Sequence, residues 1–257
     1  MAKPPVITVK IIKENNVQLL IIRHGDPDYE HDSLTEKGRR EAELLKQRLL
    51  KQPIDAFYCS PLGRAKATAE PTLKALSKTA VTCSWLREFD GFAVDPDTQK
   101  PTHPWDRLPA FVNQNSDYFD YSRWLQTPFY QSGDVAEKYQ AVCRGIDEIL
   151  AQHGYRHEGH LYRVEQENTK TLAFFCHFGV ECVLLSHLLS ISPVALWQGL
   201  VALPSSVTTL ATEEREQGVA SLRCSGFGDL SHLYAGGEPA SFQARFCETY
   251  SKFNQRH

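Results

Sequence analysis

The stretch VQLLII, at residues 17–22, is followed directly by the tripeptide Arg23-His24-Gly25. Apolar residues fill it almost without a break, which is typical of a central strand that is covered on both faces of a sheet. Polar side chains follow at its carboxyl end, where open α/β sheets bind their ligands. The sequence therefore predicts a buried strand that ends in a functional site.

Strand and helix patterns alternate around this stretch. In chain order the predicted elements are strands at 6–12 and 17–22, a helix at 35–51, a strand at 54–59, a helix at 63–76, strands at 81–85 and 171–176, a helix at 180–189, strands at 207–212 and 219–224, and a helix at 242–253. Ser33 and Glu36 have the spacing of a capping box for the first helix. The alternation predicts an α/β fold, a three-layer sandwich whose mostly parallel sheet carries helices on both faces.

Residues 92–134 interrupt this alternation, since they are rich in Pro, Trp, Tyr and Asp and have no clear period. A helix at 135–153 and a polar arm at 155–169 follow them. We expect residues 92–169 to be an inserted lid or cap within a single domain of residues 1–257, because long excursions often cover binding sites. The sequence leaves open whether the aromatic side chains of this insertion line a substrate or form a small core of their own.

The bulk composition excludes several classes of protein. A net charge of -3 argues against a nucleic-acid partner, which would need a basic surface, and no apolar run reaches the roughly 18 residues of a membrane span. Seven scattered cysteines without a CxxC pair, and an N-terminus without a secretory layout, predict a reducing, cytoplasmic location. The strand at 6–12 could form a sheet edge that pairs with a second copy, so a homodimer is an open alternative.

A second buried run, TLAFFC at residues 171–176, ends in His177 in the same way. Because the carboxyl ends of neighbouring parallel strands meet at one edge of a sheet, we expect His24 and His177 to share a pocket. Arg23 belongs to the first strand end, and Arg64 begins a helix after another strand. Two guanidinium groups beside two imidazoles suit a phosphate dianion, whose phosphorus a neutral imidazole nitrogen can attack.

A carboxyl group close to these residues is needed to protonate the leaving oxygen of such a reaction. Glu88 is the first candidate and Asp90 the second, since both follow the strand predicted at 81–85. Asp26 is a third candidate, although the neighbouring Pro27 suggests a loop role instead.

His157 and His160 have a spacing that can hold a metal ion. A polar hairpin is the more frequent context of such a pair, because a structural metal site usually needs further ligands nearby. We therefore interpret this segment as a hairpin and expect no metal ligands in it.

Five motifs occur in order along residues 17–210. They are Arg23-His24-Gly25, Leu34-Thr35-x-x-Gly38, Ser60-Pro61-x-x-Arg64, Leu86-x-Glu88 and the late His177. Together they resemble the histidine phosphatase superfamily, in its phosphoglycerate-mutase-like branch. The resemblance implies that His24 is the phosphorylated nucleophile and Glu88 the proton donor. It also implies that Arg23, Arg64 and His177 hold the phosphate of a small phosphorylated substrate, that His177 takes part in catalysis, and that the phosphatase needs no cofactor or metal.

Two departures from the family's pattern affect the substrate. Asp26-Pro27 replaces the Glu and small hydroxyl residue that mutases of this branch usually carry, and Phe178 separates His177 from Gly179. These changes weaken the alternative of a phosphoglycerate-type mutase, and the presence of both histidines weakens that of a non-catalytic phosphate-binding scaffold. A sugar phosphate, a nucleotide, a small phosphorylated acid and a phosphoprotein all stay open as substrates.

Overall fold

The computed structural model describes residues 16–241 together with residues 243 and 251. The strand predicted at 6–12 lies outside the described residues, and so does almost all of the helix predicted at 242–253. None of the helices in the described part of the chain is both long and apolar enough to cross a membrane.

Twelve strands and eight α-helices make up the described chain. The strands are β1 (Gln18–Arg23), β2 (Pro27–Asp28), β3 (Ser33–Leu34), β4 (Ala56–Cys59), β5 (Val81–Thr82), β6 (Ala93–Val94), β7 (Pro101–Thr102), β8 (Tyr155–Glu158), β9 (Leu161–Val164), β10 (Thr171–Cys176), β11 (Val207–Glu216) and β12 (Val219–Asp229). The helices are α1 (Glu36–Leu49), α2 (Gly63–Leu76), α3 (Pro109–Val112), α4 (Pro128–Gln131), α5 (Val135–Gln152), α6 (Phe178–Leu189), α7 (Pro193–Gly199) and α8 (Ser231–Gly236).

Eight strands form the central sheet, in the order β5-β4-β10-β1-β11-β12-β9-β8. The first four of these pair in parallel, and helical crossovers connect them. The other four join by antiparallel pairing. Only two residues link β11 to β12, and a connection that short can join only antiparallel strands. The predicted α/β class with helices around a sheet is confirmed, and the sheet itself is mixed.

Apolar side chains of β1 alternate between two cores, as a strand covered on both faces requires. Leu19 and Ile21 belong to one core with residues of α5, α6 and α7. Leu20 and Ile22 belong to the other, which α1 and α2 cover. The sheet therefore lies between two helical layers, and burial of the strand places its carboxyl end inside the protein.

The stretch 92–169 divides into parts with different environments. Its aromatic residues Tyr118, Trp124, Phe129 and Tyr130 are buried in the same core as one face of β1, so they do not form a core of their own. The hairpin of β8 and β9 extends the central sheet by pairing with β12. The hairpin predicted in the polar arm is thus confirmed, whereas a lid role for this stretch stays a prediction.

The start of α1 differs from its prediction. Thr35, and not Ser33, is the N-cap, and its Oγ1 accepts a hydrogen bond of 3.1 Å from the amide of Gly38. The capping box expected from Ser33 and Glu36 is therefore wrong, because Ser33 is already part of β3.

Candidate active site

The pairing of β1 with β10 brings two histidines together. Arg23 lies opposite Cys176 in the register of the two parallel strands, so the next residue of each strand is a histidine at the same edge. The amide of His24 donates to the carbonyl of Cys176 over 3.0 Å, and the ring centroids of His24 and His177 lie 5.0 Å apart. Both side chains are almost fully buried. The two histidines therefore lie side by side at one edge of the sheet, as the sequence predicts.

The ring of His24 is held in one tautomer. Its Nδ1 lies 2.8 Å from the carbonyl oxygen of Gly25, and since a carbonyl only accepts, Nδ1 must carry the proton. The lone pair is then on Nε2. Burial, together with the charge of Arg23, keeps the pKa of His24 well below its ordinary value. His24 is thus a neutral imidazole with one unprotonated nitrogen at neutral pH, as a nucleophile must be.

The turn after β1 has no space for a side chain at Gly25. A Cβ built on it would lie 2.9 Å from the carbonyl oxygen of Gly38 and 3.3 Å from its Cα, closer than packed atoms approach. Its amide donates to Oγ1 of Thr68 in α2 over 2.9 Å. The loop after β1 is therefore packed directly on α1 and α2, which fixes the backbone that orients the His24 ring.

Ser60 holds the second histidine. Its Oγ accepts from the amide of Leu62 over 3.2 Å and lies 2.7 Å from Nε2 of His177, within hydrogen-bond distance. The other ring nitrogen of His177, Nδ1, is buried and has no hydrogen-bond partner among the described residues. Burial, the neighbouring His24 and the charge of Arg64 lower the pKa of His177 well below its ordinary value. The motif Ser60-Pro61-x-x-Arg64 contained this residue, but sequence reasoning assigned it no role.

Two guanidinium groups face the histidines. Arg23 is buried; its Nη1 donates to the carbonyl of Ala202, and its charge lies 5.7 Å from the ring centre of Phe178. Arg64 pairs with Asp32 through Nη1 and Oδ1 over 2.8 Å. The Nε atoms of both arginines are buried and have no hydrogen-bond partner in the described part of the chain. Each side chain is thus fixed by one set of contacts and keeps a donor unused.

Asp32, which the sequence analysis did not single out, also fixes the start of α2. Its Oδ2 accepts from the amide of Gly63 over 2.6 Å, while Oδ1 pairs with Arg64. A Cβ on Gly63 would come within 2.0 Å of the Asp32 carbonyl oxygen. Only glycine allows the loop and the helix to approach this closely, and the approach sets the position of the Arg64 guanidinium group.

Glu88 lies beside the N-terminus of α6. Its Oε1 accepts from the amides of Phe89 over 2.9 Å and Val180 over 3.2 Å, which leaves Oε2 as the oxygen able to carry a proton. Burial raises the pKa of Glu88, against the opposing effects of the Phe89 amide and the Arg23 charge. Gly179 permits the contact, because a Cβ there would lie 2.7 Å from Oε1.

The other two candidate carboxylates have different surroundings. Asp90 is exposed and forms ion pairs with Arg87 over 3.2 Å and Lys138 over 3.4 Å. Asp26 is buried, and its side chain accepts from the hydroxyls of Thr35 and Ser241. Asp26 therefore ties the loop after β1 to the start of α1, while Asp90 belongs to the protein surface.

A further buried carboxylate, Glu181, lies in the first turn of α6 and was not found from the sequence. Its Oε1 accepts from the hydroxyl of Thr208 over 2.6 Å, and its other oxygen has no partner among the described residues. Burial raises the pKa of Glu181 to about 7, although the nearby charge of Arg23 opposes this. An apolar helix such as α6 contains no periodic pattern that would single out this position in the sequence.

Comparison with known proteins connects this geometry to a family. The sequence profile of the histidine phosphatase superfamily (branch 1) matches residues 19–225. Phosphoserine phosphatase 1 of Hydrogenobacter thermophilus is 24% identical over 155 residues, which span 53% of this chain and 66% of that protein, just under two thirds of its length.

Solved structures share the fold. A phosphoserine phosphatase of Entamoeba histolytica, solved with phosphoserine, superposes with a TM-score of 0.55 at 19% identity, covering 84% of this chain and 99% of the other. A mycobacterial glucosyl-3-phosphoglycerate phosphatase superposes with a TM-score of 0.56 at 18% identity, covering 82% of this chain and 98% of the other. At these identities the likeness concerns the arrangement of the chain.

Proposed function

The chain belongs to the histidine phosphatase superfamily, and from that premise we propose that it hydrolyses phosphomonoesters by attack of Nε2 of His24 on phosphorus. One observation carries the proposal. Three buried polar atoms without a partner among the described residues, Nε of Arg23, Nε of Arg64 and Nδ1 of His177, belong to side chains grouped around this neutral imidazole. Buried polar groups are normally satisfied, and the oxygens of a phosphate group would satisfy all three.

The first chemical step forms a phosphohistidine. The lone pair on Nε2 of His24 makes the new bond to phosphorus, while the bond from phosphorus to the ester oxygen breaks. That oxygen takes a proton from Oε2 of Glu88 and leaves as an alcohol. The guanidinium groups of Arg23 and Arg64 stabilise the negative charge on the transferring phosphoryl oxygens.

The second step is hydrolysis of the intermediate. Water attacks the phosphohistidine, and Glu88, now a carboxylate, takes a proton from that water. The bond from phosphorus to Nε2 breaks, inorganic phosphate leaves, and His24 returns to its neutral form. The reaction therefore needs only His24 as nucleophile and Glu88 as acid and then base. Burial favours the neutral form of His24 and the protonated form of Glu88, which are the forms that the first step requires.

The substrate we propose is a small phosphorylated metabolite. The relatives are named for phosphoserine and for glucosyl-3-phosphoglycerate, which are both small phosphate esters. We also propose a cytoplasmic location, which six free cysteines among the described residues support, because thiols stay reduced there. The absence of nucleic-acid and membrane partners, and a homodimer formed through residues 6–12, stay predictions from the sequence.

The test is hydrolysis of p-nitrophenyl phosphate in excess EDTA by the wild-type protein and His24→Ala. We expect the variant to lose roughly 10⁴-fold or more in kcat/KM, because no other group can replace the nucleophile. Asp90→Asn, which changes an exposed carboxylate in the same region, is the matched control and should stay active. Brief labelling with substrate should yield an acid-labile phosphohistidine at His24 by mass spectrometry.

Two outcomes would contradict the proposal. If His24→Ala is as active as the wild type, His24 is not the nucleophile. If the wild type is inactive on this ester and on a panel of phosphorylated metabolites, the alternative of a non-catalytic phosphate-binding scaffold is favoured instead.

A further inference from the structure

Away from the reaction site, three elements bring a carboxylate and two imidazoles together. Asp147 comes from α5, His157 from β8 and His187 from the last turn of α6. Nε2 of His187 lies 2.8 Å from Oδ1 of Asp147, and Nδ1 of His157 lies 3.3 Å from Oδ2 of the same side chain. The two imidazole centroids are 4.5 Å apart. One potential ligand atom from each residue lies within 4.8 Å of the others.

A second observation at the same place points to a missing partner. Tyr162 lies opposite His157 in the β8–β9 hairpin, with its ring centre 5.1 Å from that of the histidine. Its side chain is 2% exposed, and its hydroxyl has no hydrogen-bond partner among the described residues. Such a group is costly to bury unless something polar satisfies it.

We propose that Asp147, His157 and His187 bind a divalent transition metal, with Zn²⁺ as the preferred ion. Two imidazole nitrogens and one carboxylate oxygen are a common set of protein ligands for zinc, and a water fills the fourth tetrahedral position. Such a water would also offer a hydrogen-bond partner to the buried Tyr162 hydroxyl. Mg²⁺ and Ca²⁺ are disfavoured, since they take mainly oxygen ligands.

The geometry requires a small closure on binding. Zinc bonds of about 2.0–2.1 Å put tetrahedral ligand atoms about 3.3 Å apart, whereas the widest pair here is within 4.8 Å. The side chains of His157 and Asp147 are 23% and 26% exposed, which allows them to rotate inward.

The site would join separate parts of the fold. His187 lies ten residues after His177, roughly 15 Å along the axis of α6, so the ion is outside the reaction site. It would tie the hairpin at the edge of the sheet to α5 and α6. Of the pair His157 and His160 noted in the sequence, only His157 belongs to this set, because His160 instead places its Nδ1 2.8 Å from Oγ of Ser190.

The experiment measures zinc binding to the untagged full-length chain after removal of metals with a chelator. We expect isothermal titration to give one tight equivalent of Zn²⁺ and a tetrahedral visible spectrum with Co²⁺. His157→Ala should weaken the affinity at least about 100-fold, since even loss of a group behind a ligand costs 10–100-fold. His160→Ala is the matched control on the same hairpin and should bind as the wild type does. His24→Ala should also keep the site, which separates it from the reaction centre.

Thermal unfolding gives a second readout. Free Zn²⁺ at a hundred times Kd should raise the Tm of the wild type and of His160→Ala by about 5 °C or more, and that of His157→Ala by much less. If His157→Ala does not fold, Asp147→Asn serves the same purpose. The proposal is overturned if the wild type takes up no zinc, which would leave only a hydrogen-bonded triad. It is also overturned if His157→Ala and His160→Ala bind zinc equally well. Neither result depends on phosphatase activity.

Discussion

The two ends of α6 place a buried histidine in opposite electrostatic surroundings. At the N-terminal end His177 faces His24 and the charges of Arg23 and Arg64. At the C-terminal end His187 bonds the carboxylate of Asp147. The residue type is the same, yet one end suits an anion and the other a cation. The charged side chains that other elements place beside each histidine determine which kind of ion that end of the helix suits.

The helix itself contributes to this difference. Its aligned peptide dipoles favour anions at the N-terminus and cations at the C-terminus, each by roughly 0.3–1 kcal/mol at exposed sites. This is smaller than the effect of a full charge in a buried site, so the dipole assists an arrangement that the side chains set. Changes at the N-terminal end should therefore alter phosphate chemistry, which three predictions test, and a fourth tests the buried carboxylate in the first turn of the helix.

Of these four changes, Glu88→Gln is expected to have the largest effect. Without a proton donor, kcat/KM for an alkyl phosphate should fall by about 10²–10⁴-fold. With p-nitrophenyl phosphate, whose leaving group needs no proton, rapid-mixing measurements should still show a burst of product, and the phosphohistidine should accumulate. Loss of alkyl phosphatase activity in Asp90→Asn, with Glu88→Gln unaffected, would make Asp90 the donor instead.

Arg64→Lys keeps the positive charge and removes the planar guanidinium group that we propose bonds the phosphate oxygens. We expect kcat/KM to fall roughly 10²-fold, because a lysine cannot reproduce the fork of donors. Inhibition by vanadate, which resembles the transferring phosphoryl group, should weaken in parallel. Arg40→Lys, at an exposed position on α1, is the matched control. Full activity in Arg64→Lys would mean that charge alone is sufficient there.

Glu181→Gln should change how stability depends on pH. The folded-state pKa of about 7 lies above the ordinary value of 4.5, so ionisation destabilises the folded protein as pH rises through this window. The variant lacks this ionisation. Its free energy of unfolding relative to wild type should therefore rise by about 3 kcal/mol between pH 4.5 and 8, as measured by urea unfolding. Glu137→Gln, an exposed position on α5, should show no such trend, and a flat difference for Glu181→Gln would refute the buried charge.

The smallest effect is expected for Ser60→Ala. Removing one hydrogen bond to Nε2 of His177 should lower kcat/KM by about tenfold, since such a bond contributes roughly 0.5–1.5 kcal/mol. Ser60→Thr retains the hydroxyl and should restore most of the activity, which a purely structural role of the side chain would not predict. An unchanged Ser60→Ala would show that His177 is oriented by other contacts.

Much of the reaction site could be predicted from the chain alone. The bounds of α2 and β10 agree with the predicted helix at 63–76 and strand at 171–176, and His24 and His177 were expected at neighbouring strand ends. Such features depend on the periodicity of consecutive residues and on the rule that parallel strands end at one edge. Short elements such as β2, β3 and α8 were not predicted, because two to six residues contain too little pattern.

Features that join distant segments could not be predicted in this way. The central sheet was expected to be mostly parallel, yet its second half is antiparallel, and the arm at 155–169 supplies two of its strands. The order of strands in a sheet depends on contacts between segments that lie far apart in the chain. The hydrogen bond of Ser60 to His177 and the ion pair of Asp32 with Arg64 likewise arise from packing of the whole chain.

The sequence by itself determined the strand that ends in Arg23-His24 and the second buried strand that ends at His177. It also determined the family to which these motifs point. Only the tertiary structure decided that Asp147, His157 and His187 meet, because these residues lie on three elements whose contact depends on the antiparallel edge of the sheet. The reason is physical: a local pattern is set by neighbours along the chain, whereas a side-chain cluster is set by the register and packing of elements far apart in it.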